Sequence, residues 1–165
     1  MKNLIVIRHA KSSWDDPTVA DKDRRLNKRG ERDAPFMGKQ LHARGLMPDR
    51  MVCSPARRAL DTARFIAGQV RYNVDAIDIR DALYMEGESA LMSIVQGLDD
   101  AWSRVYLIGH NPDLTRLVDR LTGDGVDHMP TCGIAAIDFD MKSWSHIMVG
   151  SGKLAFFDCP KRHFR

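Results

Sequence analysis

The sequence predicts an α/β fold of three layers, a mostly parallel central sheet flanked by helices. Two observations predict it: short apolar runs alternate with helical patterns, and three of those runs end in polar residues that open the next segment. A length of 165 residues, 44% hydrophobic and 28% charged, suits one globular domain spanning residues 1–165.

The elements follow in order. Residues 3–7 (Asn-Leu-Ile-Val-Ile) form a strand that is apolar on both faces, which places it centrally. A polar, irregular stretch follows over residues 11–25. Residues 27–44 read as a helix, with Gly45 closing its C-terminus. A second strand covers 50–53. Ser54 then suits a helix N-cap and Pro55 the first helical position, and Ala59, Leu60, Ala63, Ile66, Ala67 and Val70 stripe one face of that helix. A third strand is expected over 74–79, a helix over 88–98, a buried strand over 105–108, and a helix opened by Asn111-Pro112 that runs to Leu121. Three final strands are expected over 134–139, 145–149 and 154–157, with Ser151-Gly152 as a hairpin turn between the last two.

Composition excludes several classes. No apolar run approaches the length that spans a bilayer, and the N-terminus lacks a signal-like apolar region. Three cysteines, Cys53, Cys132 and Cys159, form no Cys-x-x-Cys pair, which argues for reduced thiols in the cytoplasm and against structural zinc. The net charge of +3 is spread along the chain, a poor basis for nucleic-acid binding.

Chemistry converges at three strand ends. The first delivers Arg8 and His9, the second Ser54 and a helix carrying Arg57 and Arg58, and the fourth Gly109 and His110. Ligands of open α/β sheets bind beyond the carboxyl ends of the strands. If these strands are parallel neighbours, two imidazoles and a guanidinium meet in one crevice. Arginine binds phosphoryl oxygens without losing its proton, and a neutral imidazole can attack phosphorus to form a phosphohistidine. His110 can donate to the equatorial oxygens. The cationic cluster supplies the electrostatics, so no metal and no cofactor are expected.

Arg8-His9-Ala10-Lys11-Ser12-Ser13-Trp14 resembles the Arg-His-Gly-x-Ser signature of the histidine phosphatase (phosphoglycerate mutase-like) superfamily, with Ala10 in place of glycine. Residues 54–63 resemble its Ser-x-x-x-Arg-Ala-x-x-Thr-Ala segment, which selects Arg58 over Arg57, and Gly109-His110-Asn111-Pro112 resembles the segment of its second histidine. Asp21-x-x-Arg24, with Leu26 and Gly30, is similar to a stretch of the SixA-type phosphohistidine phosphatase branch. The resemblance implies His9 as nucleophile, with Arg8, Arg58 and His110 holding the phosphoryl group. It implies substrate-binding parts for Ser12, Arg24 and Asp15. The family's acidic proton donor has no clear counterpart here: Glu86 and Asp15 are the candidates, with none as the third option.

These readings lead to a phosphatase acting on phosphohistidine in a partner protein through phospho-His9. A phosphatase or mutase for a small phosphate ester is the alternative. A catalytically silent phosphate-binding module is a third. His42, His128, His146 and His163 lie in no motif and read as structural or surface residues.

Overall fold

Along β1 (Lys2–Arg8), Leu4 and Val6 enter one apolar cluster while Ile5 and Ile7 enter another. Successive side chains of a strand face opposite ways, so a strand apolar throughout needs cover on both faces. The computed structural model describes residues 1–124 and 126–164 and supplies that cover. The chain continues through α1 (Lys28–Ala43), β2 (Arg50–Cys53), α2 (Arg57–Gln69), β3 (Asp78–Ile79), α3 (Glu88–Gln96), β4 (Arg104–Gly109), α4 (Asp113–Thr122), β5 (Ile134–Phe139) and β6 (Lys153–Asp158). The six strands lie in the order β3-β2-β4-β1-β5-β6, giving a mixed sheet. The pairs β3–β2, β2–β4 and β4–β1 are parallel, and β5 runs antiparallel to both of its neighbours, β1 and β6.

Met37 and Leu41 of α1 pack with Ala59, Ala63 and Ile66 of α2 on one face. On the other, Leu91 and Val95 of α3 pack with Leu114, Leu117 and Leu121 of α4. The division follows from handedness. The path from β1 to β2 to β3 moves outward, and from β3 to β4 it turns back between β2 and β1. Right-handed crossovers must then put the returning helix on the opposite face. That return sets β4 beside β1 in register, with Arg8 opposite Gly109.

Several expected boundaries hold. The Asn27 side chain caps α1 by accepting from the Gly30 N–H at 2.9 Å, and Gly45 follows the helix with φ +71°. Gly30 also lies against the loop after β1: a Cβ there would sit 2.2 Å from the Lys11 carbonyl oxygen.

Others shift. The strand expected over 74–79 is a 3-10 turn (Val74–Ala76) followed by the two-residue edge strand β3, because the Asn73 side chain caps the turn at the Asp75 N–H, 3.0 Å away. The strand expected over 145–149 is likewise replaced by a 3-10 turn (Trp144–His146), capped by Ser143 Oγ and anchored by the buried Trp144 indole, whose N–H donates to the Trp102 carbonyl at 2.8 Å. Ser151-Gly152 therefore joins no hairpin. Gly152 instead permits close packing, since a Cβ would lie 2.6 Å from Ile137. The helices after Ser54 and Asn111 begin later than expected, at Arg57 and Asp113, and neither Ala56 nor Pro112 at their N-caps makes a side-chain capping bond. No helix among the described residues is long and apolar enough to cross a membrane.

Candidate active site

The pairing of Arg8 with Gly109 makes His9 and His110 the next residues of two adjacent parallel strands. Their rings lie 5.1 Å apart at 51°, and both residues are buried. Cys53 pairs with Ile108, so Ser54 emerges beside them. The three expected strand ends thus meet at one rim of the sheet.

The nitrogen Nδ1 of His9 lies 2.8 Å from the Ala10 carbonyl oxygen. A carbonyl only accepts, so Nδ1 carries the hydrogen and the lone pair resides on Nε2. The turn is held by Thr62 of α2, whose hydroxyl accepts from the Ala10 N–H at 2.9 Å and donates to the Arg58 carbonyl at 2.7 Å. Burial pushes the His9 imidazole down to about 3, against the pull of the Ala10 carbonyl, and the positive charges of His110, Arg58 and Arg8 lower it further. Burial also brings His110 down to about 4, joined by Arg58 and partly offset by Asp21. Both rings are neutral near pH 7.

His110 Nε2 lies 2.7 Å from Ser54 Oγ, which also accepts from the Ala56 N–H at 3.2 Å. The hydroxyl either donates to Nε2, which puts the hydrogen of the neutral ring on Nδ1, or accepts from it. Tyr84, preceding α3, sets its ring edgewise to His110 at 5.5 Å.

Arg58, in the first turn of α2, donates from Nη1 to the Asp21 carbonyl at 2.7 Å and from Nη2 to the Asp21 carboxylate at 3.1 Å. The same carboxylate accepts from the Tyr84 hydroxyl at 2.6 Å and from Arg24 Nε at 3.2 Å. These bonds, the Tyr84 hydroxyl first, hold the Asp21 carboxyl down to about 2, although partial burial opposes them. Arg8 donates from Nη1 to the Met129 carbonyl at 3.0 Å, an acceptor it shares with Asn111 Nδ2 at 2.8 Å. Burial lowers the Arg8 guanidinium, and Arg58 adds like-charge repulsion.

Three buried nitrogens of this cluster, the N–H groups at Arg8 Nε and Arg58 Nε and the ring nitrogen His110 Nδ1, have no partner among the described residues. A buried donor left unpaired costs on the order of 1–3 kcal/mol, so donors gathered around one imidazole suit an anionic ligand. Among the described residues, no three His, Cys, Asp or Glu side chains are grouped as metal ligands.

The remaining expected site residues lie further out. Ser12 Oγ is engaged by Arg24 Nη1 at 2.8 Å, and Arg24 reaches the cluster through Asp21. Asp15 is an exposed loop residue whose N–H donates to Ser13 Oγ at 3.1 Å. Glu86 is exposed, and it is Tyr84 in that stretch that meets His110. Arg57 faces outward and pairs with Asp61 at 3.4 Å. Four participants escaped the sequence reading. Asp21 and Thr62 stood inside quoted motifs without a role, Tyr84 lay in a stretch searched for carboxylates, and Met129 contributes a backbone carbonyl that no residue type announces.

A family model for the histidine phosphatase superfamily (branch 1) matches residues 4–84. An uncharacterized chloroplastic protein of Arabidopsis thaliana is 30% identical over 159 residues, covering 92% of this chain and 72% of that protein. The chain belongs to the histidine phosphatase superfamily. Within that superfamily its fold is similar to the protein histidine phosphatase SixA solved with tungstate, at TM-score 0.85 and 20% identity over 98% of this chain and 99% of that one. A protein of Agrobacterium tumefaciens that carries the SixA name matches at TM-score 0.78 and 25% identity, over 96% of this chain and 99% of that one. The histidine phosphatase fold accounts for the sheet order.

Proposed function

We propose that this histidine phosphatase removes the phosphoryl group from phosphohistidine in a partner protein through a covalent intermediate on His9. One observation carries the proposal: a neutral imidazole with its lone pair on Nε2 lies among three buried nitrogens, Arg8 Nε, Arg58 Nε and His110 Nδ1, that have no partner among the described residues. Arg8 Nε, Arg58 Nε and His110 Nδ1 donate to the non-bridging oxygens and stabilise the charge that spreads over them in the transition state. His9 Nε2 attacks phosphorus while the bond to the substrate nitrogen breaks, and that nitrogen takes a proton. Water then attacks phospho-His9, the bond to Nε2 breaks, and phosphate leaves. The proton released by water balances the one taken by the first leaving group.

The leaving group decides between the two substrate classes. An alkoxide needs an acid at the pocket, whereas an imidazole nitrogen is readily protonated near neutral pH. The group beside His110 is Tyr84, whose hydroxyl is committed to Asp21 and whose phenol is raised by that bond. That environment favours a phosphoramidate, and the fold's likeness to a protein histidine phosphatase agrees.

The test is rapid mixing of the protein with a chemically phosphorylated histidine substrate, with trapping of an acid-labile, alkali-stable phosphoenzyme. His9→Ala should lose the trapped label and at least a thousandfold in turnover, on the order seen when covalent nucleophiles are removed. Full turnover in that variant would defeat the proposal. A higher kcat/KM on sugar or glycerate phosphates would move the assignment to small esters. Tungstate binding without hydrolysis even of p-nitrophenyl phosphate would leave a binding module.

A further inference from the structure

Large apolar side chains on a water-exposed surface mark contact sites when they are fixed in place beside a functional crevice. Trp14 is 71% exposed and Met85 73%, among the most exposed large apolar residues described. Met148 and Val149 are exposed too, but they precede β6, whose first residue pairs with Asp138 at the other end of the sheet. Trp14 and Met85 belong to the loops that follow β1 and β3, at the rim that holds His9 and His110.

Trp14 is held by packing, and Met85 extends from a residue that is itself held. The Trp14 ring stacks on the Arg24 guanidinium at 3.5 Å, and Arg24 is itself fixed by Ser12, the Ser13 carbonyl and Asp21. One indole face is covered and the rest meets solvent. Met85 has φ +60°, a left-handed backbone that a non-glycine residue adopts at a cost of about 1–2 kcal/mol. Its neighbour Tyr84 is locked between Asp21 and His110. The contacts from Trp14 to Arg24, Asp21 and Tyr84 run along one wall, and Met85 follows Tyr84 in the chain. An aromatic anchor already immobilised loses little entropy when a partner covers it.

Charge narrows the partner. Asp15, Asp16 and Glu86, next in sequence to the apolar pair, are exposed carboxylates. Inside the wall the field is cationic and takes the phosphoryl group. Outside, Asp15, Asp16, Asp23 and Glu86 outnumber the exposed cations Lys22, whose ammonium lies 5.9 Å over the Tyr84 ring, and Arg25. The net negative charge there disfavours an acidic surface. A sugar phosphate has no apolar face to offer such a wall. A protein does.

Resting on the phosphohistidine reading above, we propose that Trp14 and Met85 form a docking rim for the phosphorylated protein. They grip an apolar patch beside its phosphohistidine, and Asp15, Asp16 and Glu86 meet basic side chains around that patch. The surface belongs to substrate selection, and the bond-breaking steps do not need it.

The experiment uses three probes on the full chain: free phosphohistidine, a phosphohistidine peptide flanked by leucine and lysine, and one flanked by glutamate. The wild-type protein should favour the Leu/Lys peptide over the Glu peptide about tenfold or more in kcat/KM. Trp14→Ser with Met85→Ser should erase that preference through KM while free phosphohistidine turns over within about twofold of wild type. Met85→Ser alone, which leaves the Trp14–Arg24 stack intact, should erase part of it. Equal rates on both peptides by the wild type, or a preference that survives the double substitution, would overturn the docking rim. Loss of free phosphohistidine turnover on Met85→Ser would do the same, since it would make the residue part of the chemistry. Wild-type protein that hydrolyses no phosphohistidine in any form would instead fail the functional reading, and the rim with it.

Discussion

Replacing Thr62 with valine tests whether the turn that presents His9 is held by one buried hydroxyl. Thr62 is fully buried, as is Ala10, whose N–H it accepts at 2.9 Å. Valine keeps the β-branched shape and the helix propensity, so little cavity or backbone term enters. What remains is an Ala10 N–H without an acceptor, worth about 1–3 kcal/mol, and the lost bond to the Arg58 carbonyl, about 1 kcal/mol. The extra buried methyl returns about 0.8 kcal/mol. The net is a destabilisation of about 1–3 kcal/mol, or roughly 2–10 °C in Tm for a chain of this size. The Ala10 carbonyl sets the His9 tautomer, so kcat should fall about tenfold or more, equivalent to about 1.4 kcal/mol of barrier. Urea unfolding and p-nitrophenyl phosphate hydrolysis measure the two effects. Thr62→Ser keeps the hydroxyl and should retain kcat even where it loses stability. A valine variant as stable and active as wild type, or a serine variant as slow as the valine, would refute the reasoning.

Three further outcomes are expected. Asp21→Asn removes the charge that holds Arg58 and should weaken tungstate binding about tenfold by calorimetry; the Asp21 side chain is 45% exposed, so solvent screening keeps the effect below that of a buried pair. Ser54→Ala removes the hydroxyl bonded to His110 Nε2 and should lower kcat with little change in fold, read by circular dichroism and kinetics. Acid should destabilise the protein earlier than carboxylates alone require. The imidazoles of His9 and His110 are depressed to about 3 and 4, whereas in the unfolded chain they bind protons below about pH 6.5. Their contribution is therefore complete above about pH 6.5 and is lost as pH falls through that window toward 4, with a slope up to about 2.7 kcal/mol per pH unit for the two. Equal urea midpoints at pH 7.5 and 5, or NMR titration of the His9 ring near pH 6.5, would contradict it.

Residues 1–10 illustrate how much of the site the sequence reveals. An apolar run without alternation can only be a covered strand, and Arg8-His9 at its end must then face the ligand side of the sheet. Motif alignment separates Arg58 from Arg57, and in the fold Arg58 is buried while Arg57 is exposed. Where the reading slipped, a short polar side chain had captured a local N–H. Asn73 and Ser143 each turned an apolar stretch that looked like a strand into a 3-10 turn. Asp15 and Glu86 drew attention as carboxylates near the motifs, yet both side chains point to solvent.

Sequence alone determined the strand ends, the helix stripes and the residue types able to bind and accept a phosphoryl group, because periodicity and local hydrogen bonding act over a few residues. Only the tertiary structure decided that β4 returns between β2 and β1, that Asp21 locks Arg58 to Tyr84, and that the Met129 carbonyl holds Arg8. Those contacts join segments separated by 37 to 121 residues, and they depend on strand order and crossover hand, which no local pattern encodes.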